Sequence, residues 1–260
     1  MYDHPAARWA TDQLWDAIAS HLRAAGIDAP EALTRERDYS AQWREPELLL
    51  SQTCGYPYMF MLRGTARLVA TPCYRAEGCE GPRYRSVLIA RTDDQASALR
   101  DFRGRRVAFN ATHSQSGYNC LRAAIAPLSG GEHFFSAHVE TGRHVASLQA
   151  VASGEADLCA VDCVTWGLEM KHVPGDWAGL KVIGMTDSAP GLPYITSLQT
   201  NASTLGALRS ALLEVAGDPG LKEARHALLL DGFEVLSDED YAVIPEMEEQ
   251  ARALGYPELI

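Results

Sequence analysis

With 260 residues, 47% hydrophobic and 22% charged, the chain has the composition of a soluble globular protein and length for one large domain or two lobes. Its charge, 23 basic minus 34 acidic residues or -11, argues against a general nucleic-acid or anionic-membrane binder. A local basic site stays open, because residues 63–106 hold ten Arg against five carboxylates, whereas residues 231–260 hold nine carboxylates against one Arg.

The first residues, MYDHPAARWATDQLWDAIASHL, lack the basic start and continuous apolar core of a secretory signal. They predict an amphipathic helix instead: Pro5 suits its first turn, Leu14, Trp15, Ile18 and Leu22 fall on one stripe, and Gly26 ends it. Residues 47–52 (ELLLSQ) predict a short strand running into a turn at 53–58, whose Tyr56 and Tyr58 are candidates to line a pocket. Residues 67–71 and 84–91 (YRSVLIAR) predict two further strands, separated by a Gly, Pro and Cys loop at 72–82. A polar helical segment at 92–101 then leads, through 102–104, into a second lobe.

Residues 105–120, RRVAFNATHSQSGYNC, combine a short strand, a polar turn and the first turn of a helix continued by Leu121, Ala124, Ile125 and Leu128. The first N–H groups of a helix lack intrahelical partners and carry the positive end of its dipole, so this turn is a candidate anion seat. Ser114 and Ser116 add hydroxyl donors, and Gly117 permits close approach to the backbone. Beyond it the pattern alternates: strand 134–141, helix 144–153, strand 157–164, helix 166–172 and strand 180–186, which implies a parallel sheet with covered faces. The Pro-rich stretch 189–197 reads as a return to the first lobe, followed by helices at 205–216 and 221–229.

No apolar run reaches the ~20 residues that span a bilayer. The six cysteines include no C-x-x-C and suggest no metal site. Cys159 and Cys163 read as small hydrophobes of a buried strand, while Cys54, Cys73 and Cys79 lie in or near turns and could supply one bridge, whose pairing the sequence does not define. Ser116, His144 and Asp162 supply the residue types of a hydrolytic triad. However, no G-x-S-x-G elbow is present, and a serine in a helix-opening turn is better placed to donate to an anion than to attack an acyl carbon.

Four stretches, in order and spacing, resemble the substrate-binding proteins of phosphate, phosphite and phosphonate ABC transporters, a branch of the type II periplasmic-binding fold. GPRYRSVLIAR is similar to that family's strand with an aromatic residue before Ser-Val-Leu-Ile, and NATHSQSGYN to its Ser-x-Ser-Gly loop. TGRHVASLQAVASGEADLCAVD is similar to its Gly-x-His segment and Gly-x-x-Asp strand start, and LLLSQTCGYP occupies its early strand and turn. The resemblance implies that Ser114, Gln115, Ser116 and Gly117 hold an oxyanion, that His144 reaches it, and that Asp162 meets the far end of an amine-bearing ligand. Tyr84 matches a cleft tyrosine, and Tyr56 or Tyr58 provides the facing aromatic wall. Gln115 stands where phosphonate binders often have Thr.

The resulting expectation is an α/β protein of type II periplasmic-binding architecture with a ligand cleft between two lobes. Lobe 1 comprises residues 1–95 and 195–260, lobe 2 comprises 102–190, and the hinge crossovers fall near 92–104 and 189–197. Its function by resemblance is capture of a phosphonate or phosphate ester for an ABC transporter permease, with no cofactor, metal, nucleic acid or turnover. The alternatives are a ligand sensor of the same fold and, behind it, a Ser/His/Asp hydrolase. The resemblance implies a periplasmic location; Met1, if the true start, leaves no signal peptide and almost no room for the family's first strand, and implies a cytoplasmic one.

Overall fold

Leu14, Trp15, Ile18 and Leu22 form one buried face of α1 (Arg8–Ala24) in the computed structural model, which describes residues 2–35 and 38–260. The chain continues through α2 (Tyr39–Gln42), β1 (Ser51–Gln52), α3 (Gly55–Pro57), β2 (Ala66–Tyr74), β3 (Arg83–Tyr84), β4 (Ser86–Arg91) and β5 (Arg106–Phe109). Next come α4 (Cys120–Ser129), β6 (Ala137–Glu140), α5 (His144–Ala152), β7 (Leu158–Asp162), α6 (Cys163–His172) and β8 (Leu180–Met185). It ends with β9 (Ala189–Pro190), β10 (Tyr194–Ser197), α7 (Ala202–Gly217), α8 (Lys222–Ala227), β11 (Leu230–Glu234) and α9 (Val243–Ala253). Among the described residues no helix is long and apolar enough to cross a membrane.

The chain divides into two compact units. Unit 1 holds Met1–Arg75, Glu80–Arg83 and Pro190–Tyr241, and unit 2 holds Ala76–Cys79, Tyr84–Ala189 and Ala242–Ile260. Unit 1 is built on a sheet of order β1-β10-β2-β11 in which each neighbouring pair is antiparallel. One core joins the stripe of α1 to Leu208, Leu212 and Val215 of α7 and to Val69 of β2. Each such aliphatic side chain contributes about 1.5–3 kcal/mol when removed from water.

Unit 2 has a five-stranded sheet of order β6-β5-β7-β4-β8. Strand β5 is parallel to β6 and β7, as the strand-helix alternation predicts, while β4 is antiparallel to both β7 and β8. All five residues of β7 are buried, which explains its unbroken apolar reading up to Asp162.

The structure departs from the sequence pattern in three places. After a brief excursion at 76–79, the chain enters unit 2 for its long stretch at 83–84 rather than at 92–104, because β4 is ladder-paired on both edges within unit 2, a non-local fact that periodicity does not carry. The predicted helix at 92–101 is a turn followed by one 3-10 turn at Leu99–Phe102. Asp94 accepts from the Ala96 N–H at 2.9 Å, and Asp101 accepts from the Ser97 and Ala98 N–H groups at 3.0 Å, so side chains take the bonds a helix would have made. Residues 242–260 belong to unit 2, where α9 packs on α4, rather than with the first lobe.

Helix α9 has a specific anchor on α4. Arg122 of α4 is 3% exposed and pairs with Glu248 of α9 at 3.0 Å, while also donating to the Asn119 side-chain oxygen at 2.6 Å and the Pro257 carbonyl at 2.8 Å. Removing one partner of a buried pair strands the other charge, and Arg252 beside Glu248 offsets only part of that cost. Arg122→Ala is expected to lower the unfolding free energy by about 3 kcal/mol. Urea denaturation checks it, and Arg122→Met combined with Glu248→Leu should recover much of the loss.

Candidate anion-binding site

In unit 2, β5 connects through α4 to β6 on one side, and β7 connects through α6 to β8 on the other. The strand order therefore reverses between β5 and β7, and in open α/β sheets ligands bind outside the carboxyl ends of strands at such a point. Ser114–Ser116 follow the end of β5, and Asp162 is the last residue of β7.

The seat is a helix opening. The Ser114 N–H closes the turn onto the Ala111 carbonyl at 3.0 Å, and the Ser114 Oγ caps the next turn by accepting from the Gly117 N–H at 3.1 Å. Residues Gln115–Asn119 form one wide π turn, in which the Asn119 N–H reaches the Ser114 carbonyl at 3.0 Å, before α4 continues. Ser86 Oγ holds the Ser116 carbonyl at 2.9 Å. Gly117 is required by contact: a Cβ there would fall 2.0 Å from Asn110 Oδ1 and 3.2 Å from His144 Cε1.

His144, the first residue of α5, places its Nε2 3.0 Å from Ser116 Oγ and 3.3 Å from Asp162 Oδ2. Asp162 caps α6, accepting from the Thr165 N–H at 2.8 Å and the Thr165 hydroxyl at 2.6 Å. A carboxylate only accepts, so the nitrogen beside it carries the imidazole proton. Ser116 Oγ then faces an N–H, and its own hydroxyl proton is left to be donated. His144 Nδ1 and Asn110 Oδ1 are buried without a hydrogen-bond partner among the described residues. Burial holds the His144 imidazole below its ordinary pKa, and the Asp162 charge offsets only part of that shift, so the ring is neutral.

A hydrolytic triad needs the serine on one imidazole nitrogen and the carboxylate on the other. Here both meet Nε2, and Nδ1 meets neither. The three residue types come together without the geometry of a proton relay.

The other expected residues fall differently. Gln115 is fully buried and turned toward α9: its Nε2 meets Cys120 Sγ at 3.2 Å and Met247 Sδ at 3.3 Å, and its Oε1 accepts from Asn119 at 2.8 Å. Its amide is engaged in packing inside unit 2. Asp162 is turned to its own helix and to His144. Tyr84 is buried and belongs to unit 2, not to the first lobe. In unit 1, Tyr56 packs against Phe60 in a tilted pair with ring centroids 4.4 Å apart. Tyr58 is 2% exposed, donates to Asp238 Oδ1 at 2.5 Å and packs its ring edge on Tyr241, so it is committed to the interior of unit 1.

Sequence reasoning missed Asn110, Ser86 and Thr165 as parts of this site. Thr165 had a signal, since Asp-x-x-Thr before a helix is the spacing of an N-cap. Ser86 had none, because it lies opposite Asp162 only through the β4–β7 register.

Comparison with solved structures gives the class. A binding protein component of an ABC phosphonate transporter from Pseudomonas aeruginosa superposes with a TM-score of 0.74 at 17% identity, over 93% of this chain and 82% of that one. PhnD1 from Prochlorococcus marinus, in complex with methylphosphonate, gives 0.71 at 15% identity over 94% of each chain. A Xanthomonas citri protein, XAC2383, bound to chloride ion, gives 0.72 at 18% identity over 96% of this chain and 94% of that one. The fold is that of the type II periplasmic binding proteins. A family model described as "ABC transporter, phosphonate, periplasmic substrate-binding protein" matches residues 13–241, and the chain belongs to that family.

Two outcomes follow from the geometry. Gly117→Ala forces Asn110 and His144 to give way and is expected to cost about 1–3 kcal/mol, read by chemical denaturation. For His144 the folded pKa lies below the unfolded value of 6.5, so its contribution is fully present above 6.5. As pH falls through that value, the unfolded chain takes up a proton that the folded chain refuses, and stability declines down to the folded pKa. The thermal midpoint should begin to drop as pH falls through about 6.5, and His144→Gln should flatten that portion of the curve.

Proposed function

We propose that this chain binds a small tetrahedral oxyanion, a phosphonate or phosphate ester, on unit 2 and supplies it to the permease of an ABC importer. The reading places it in the periplasm, where the family works. The observation that carries it is the Ser116–His144–Asp162 cluster: a neutral imidazole whose proton is held by Asp162 leaves the Ser116 hydroxyl free to donate beside the open end of a helix. Donors of this kind suit an anion with several equivalent oxygens, because they converge without supplying a full positive charge. The Ser114 hydroxyl, whose oxygen is occupied by the Gly117 N–H, has its proton available in the same way. Membership of the phosphonate-binding family, and the methylphosphonate in the Prochlorococcus relative, support this choice of ligand over sulfonates and carboxylates.

The reading includes no turnover, since Nε2 is already protonated toward a carboxylate and cannot serve as base to Ser116. A fluorophosphonate probe should therefore leave Ser116 unlabelled.

The deciding experiment is a thermal-shift screen across phosphate, phosphite, alkyl- and aminoalkylphosphonates, phosphate esters, sulfonates and small carboxylates. A ligand at about 100 times its dissociation constant stabilises the fold by ~2.7 kcal/mol. Phosphonates or phosphate esters should give the largest shift, and Ser116→Ala and Ser114→Ala should each reduce it. A shift confined to carboxylates would overturn the ligand class, and full response in both serine variants would overturn the site.

A further inference from the structure

Four of the six cysteines have settled surroundings. Cys73 donates to Glu234 at 3.7 Å, Cys120 meets the Gln115 amide, Cys159 is fully buried in β7, and Cys54 is buried just before α3. Cys79 and Cys163 differ. They are 84 residues apart in sequence, both in unit 2, and their sulfurs are 3.4 Å apart.

The backbone explains this approach. Gly78 has φ +98, a left-handed conformation that side chains resist, and a Cβ on it would sit 3.2 Å from Cys163 Cβ and 3.4 Å from Cys163 Sγ. The 76–79 segment thus lies directly against Cys163, and the Cys79 N–H closes its turn on the Ala76 carbonyl at 3.0 Å. Cys163 is 1% exposed, whereas Cys79 is only partly covered. One thiol is open to a reagent, and the other waits behind it.

We propose that Cys79 and Cys163 are a disulfide-forming pair, oxidised by thiol–disulfide exchange with an external disulfide, R–S–S–R. The Cys79 thiolate attacks one sulfur of the reagent, forming a Cys79–S–S–R bond as R–S⁻ leaves and takes up a proton. The Cys163 thiolate then attacks the Cys79 sulfur and expels the second R–S⁻, which also takes up a proton. Two protein thiols have lost two electrons and two protons, and the reagent has become two R–SH. The bridge ties the first residue of α6 to the 76–79 segment, next to Asp162, the residue that caps this helix and holds His144. The hydrogen bond between the two thiols, burial and the nearby Asp162 charge all raise the pKa of Cys79, so the exchange is slow at neutral pH.

The test uses the full chain, reduced, freed of reductant and incubated for hours with oxidised glutathione. Remaining thiols are alkylated in denaturant, and the unreduced digest is mapped by mass spectrometry. The expected result is one cross-link, Cys79 to Cys163, with the other four thiols alkylated. Cys163→Ser should stop at a glutathione adduct on Cys79, and Cys79→Ser should leave Cys163 as an unmodified thiol. Should Cys163→Ser fail to fold, the wild-type map and Cys79→Ser decide. Six alkylated thiols in the treated wild-type chain, or a cross-link joining other cysteines, would overturn the pairing. The readout is a covalent bond and stands apart from whether the anion reading holds.

Discussion

A carboxylate removed from water must have its oxygens filled, and Asp162 meets that demand entirely from its neighbours. One oxygen takes the Thr165 N–H, which starts α6; the other takes the Thr165 hydroxyl and approaches His144 Nε2. That single arrangement sets the imidazole tautomer, and the tautomer in turn decides that Ser116 donates rather than surrenders its proton. The same three residue types, with the carboxylate moved to Nδ1, would read as hydrolytic machinery. The two arrangements differ only in which nitrogen the buried acid faces.

Much of the fold was legible because it is local. The α1 stripe, the strand-helix alternation of unit 2 and the hydroxyl-bearing helix opening are properties of short windows with a definite period. What was illegible depends on pairing. The assignment of β4 to unit 2 follows from ladders on both its edges, and the failed helix at 92–101 follows from aspartates whose side chains take up nearby backbone amides. For the site, the residue types at 114, 116, 144 and 162 could be read from motif resemblance, but their directions could not. Gln115 is the clearest case, since its amide turns inward because Asn119, Cys120 and Met247 are there to receive it.

The seat is also held from behind. Asn119 lies in the same π turn as Ser116 and donates to both Gln115 and the Ile244 carbonyl, while accepting from Arg122, which reaches Glu248 and Pro257. A buried polar network in which nearly every member is paired is stiff, and it fixes a wide turn that would otherwise relax toward a regular helix. Gln115 braces that turn from the inside, through Asn119, Cys120 and Met247.

Neither unit is one continuous stretch of chain. Unit 1 resumes at Pro190, and unit 2 takes in residues up to Ile260, whose carbonyl receives the Phe134 N–H while the Leu259 N–H meets the Tyr118 hydroxyl. During synthesis from the N-terminus, the seat's sequence leaves the ribosome more than a hundred residues before the segment that braces it. Unit 2 must therefore wait, incompletely packed, until residues 242–260 have been made, and its apolar faces are exposed to chaperones throughout that interval.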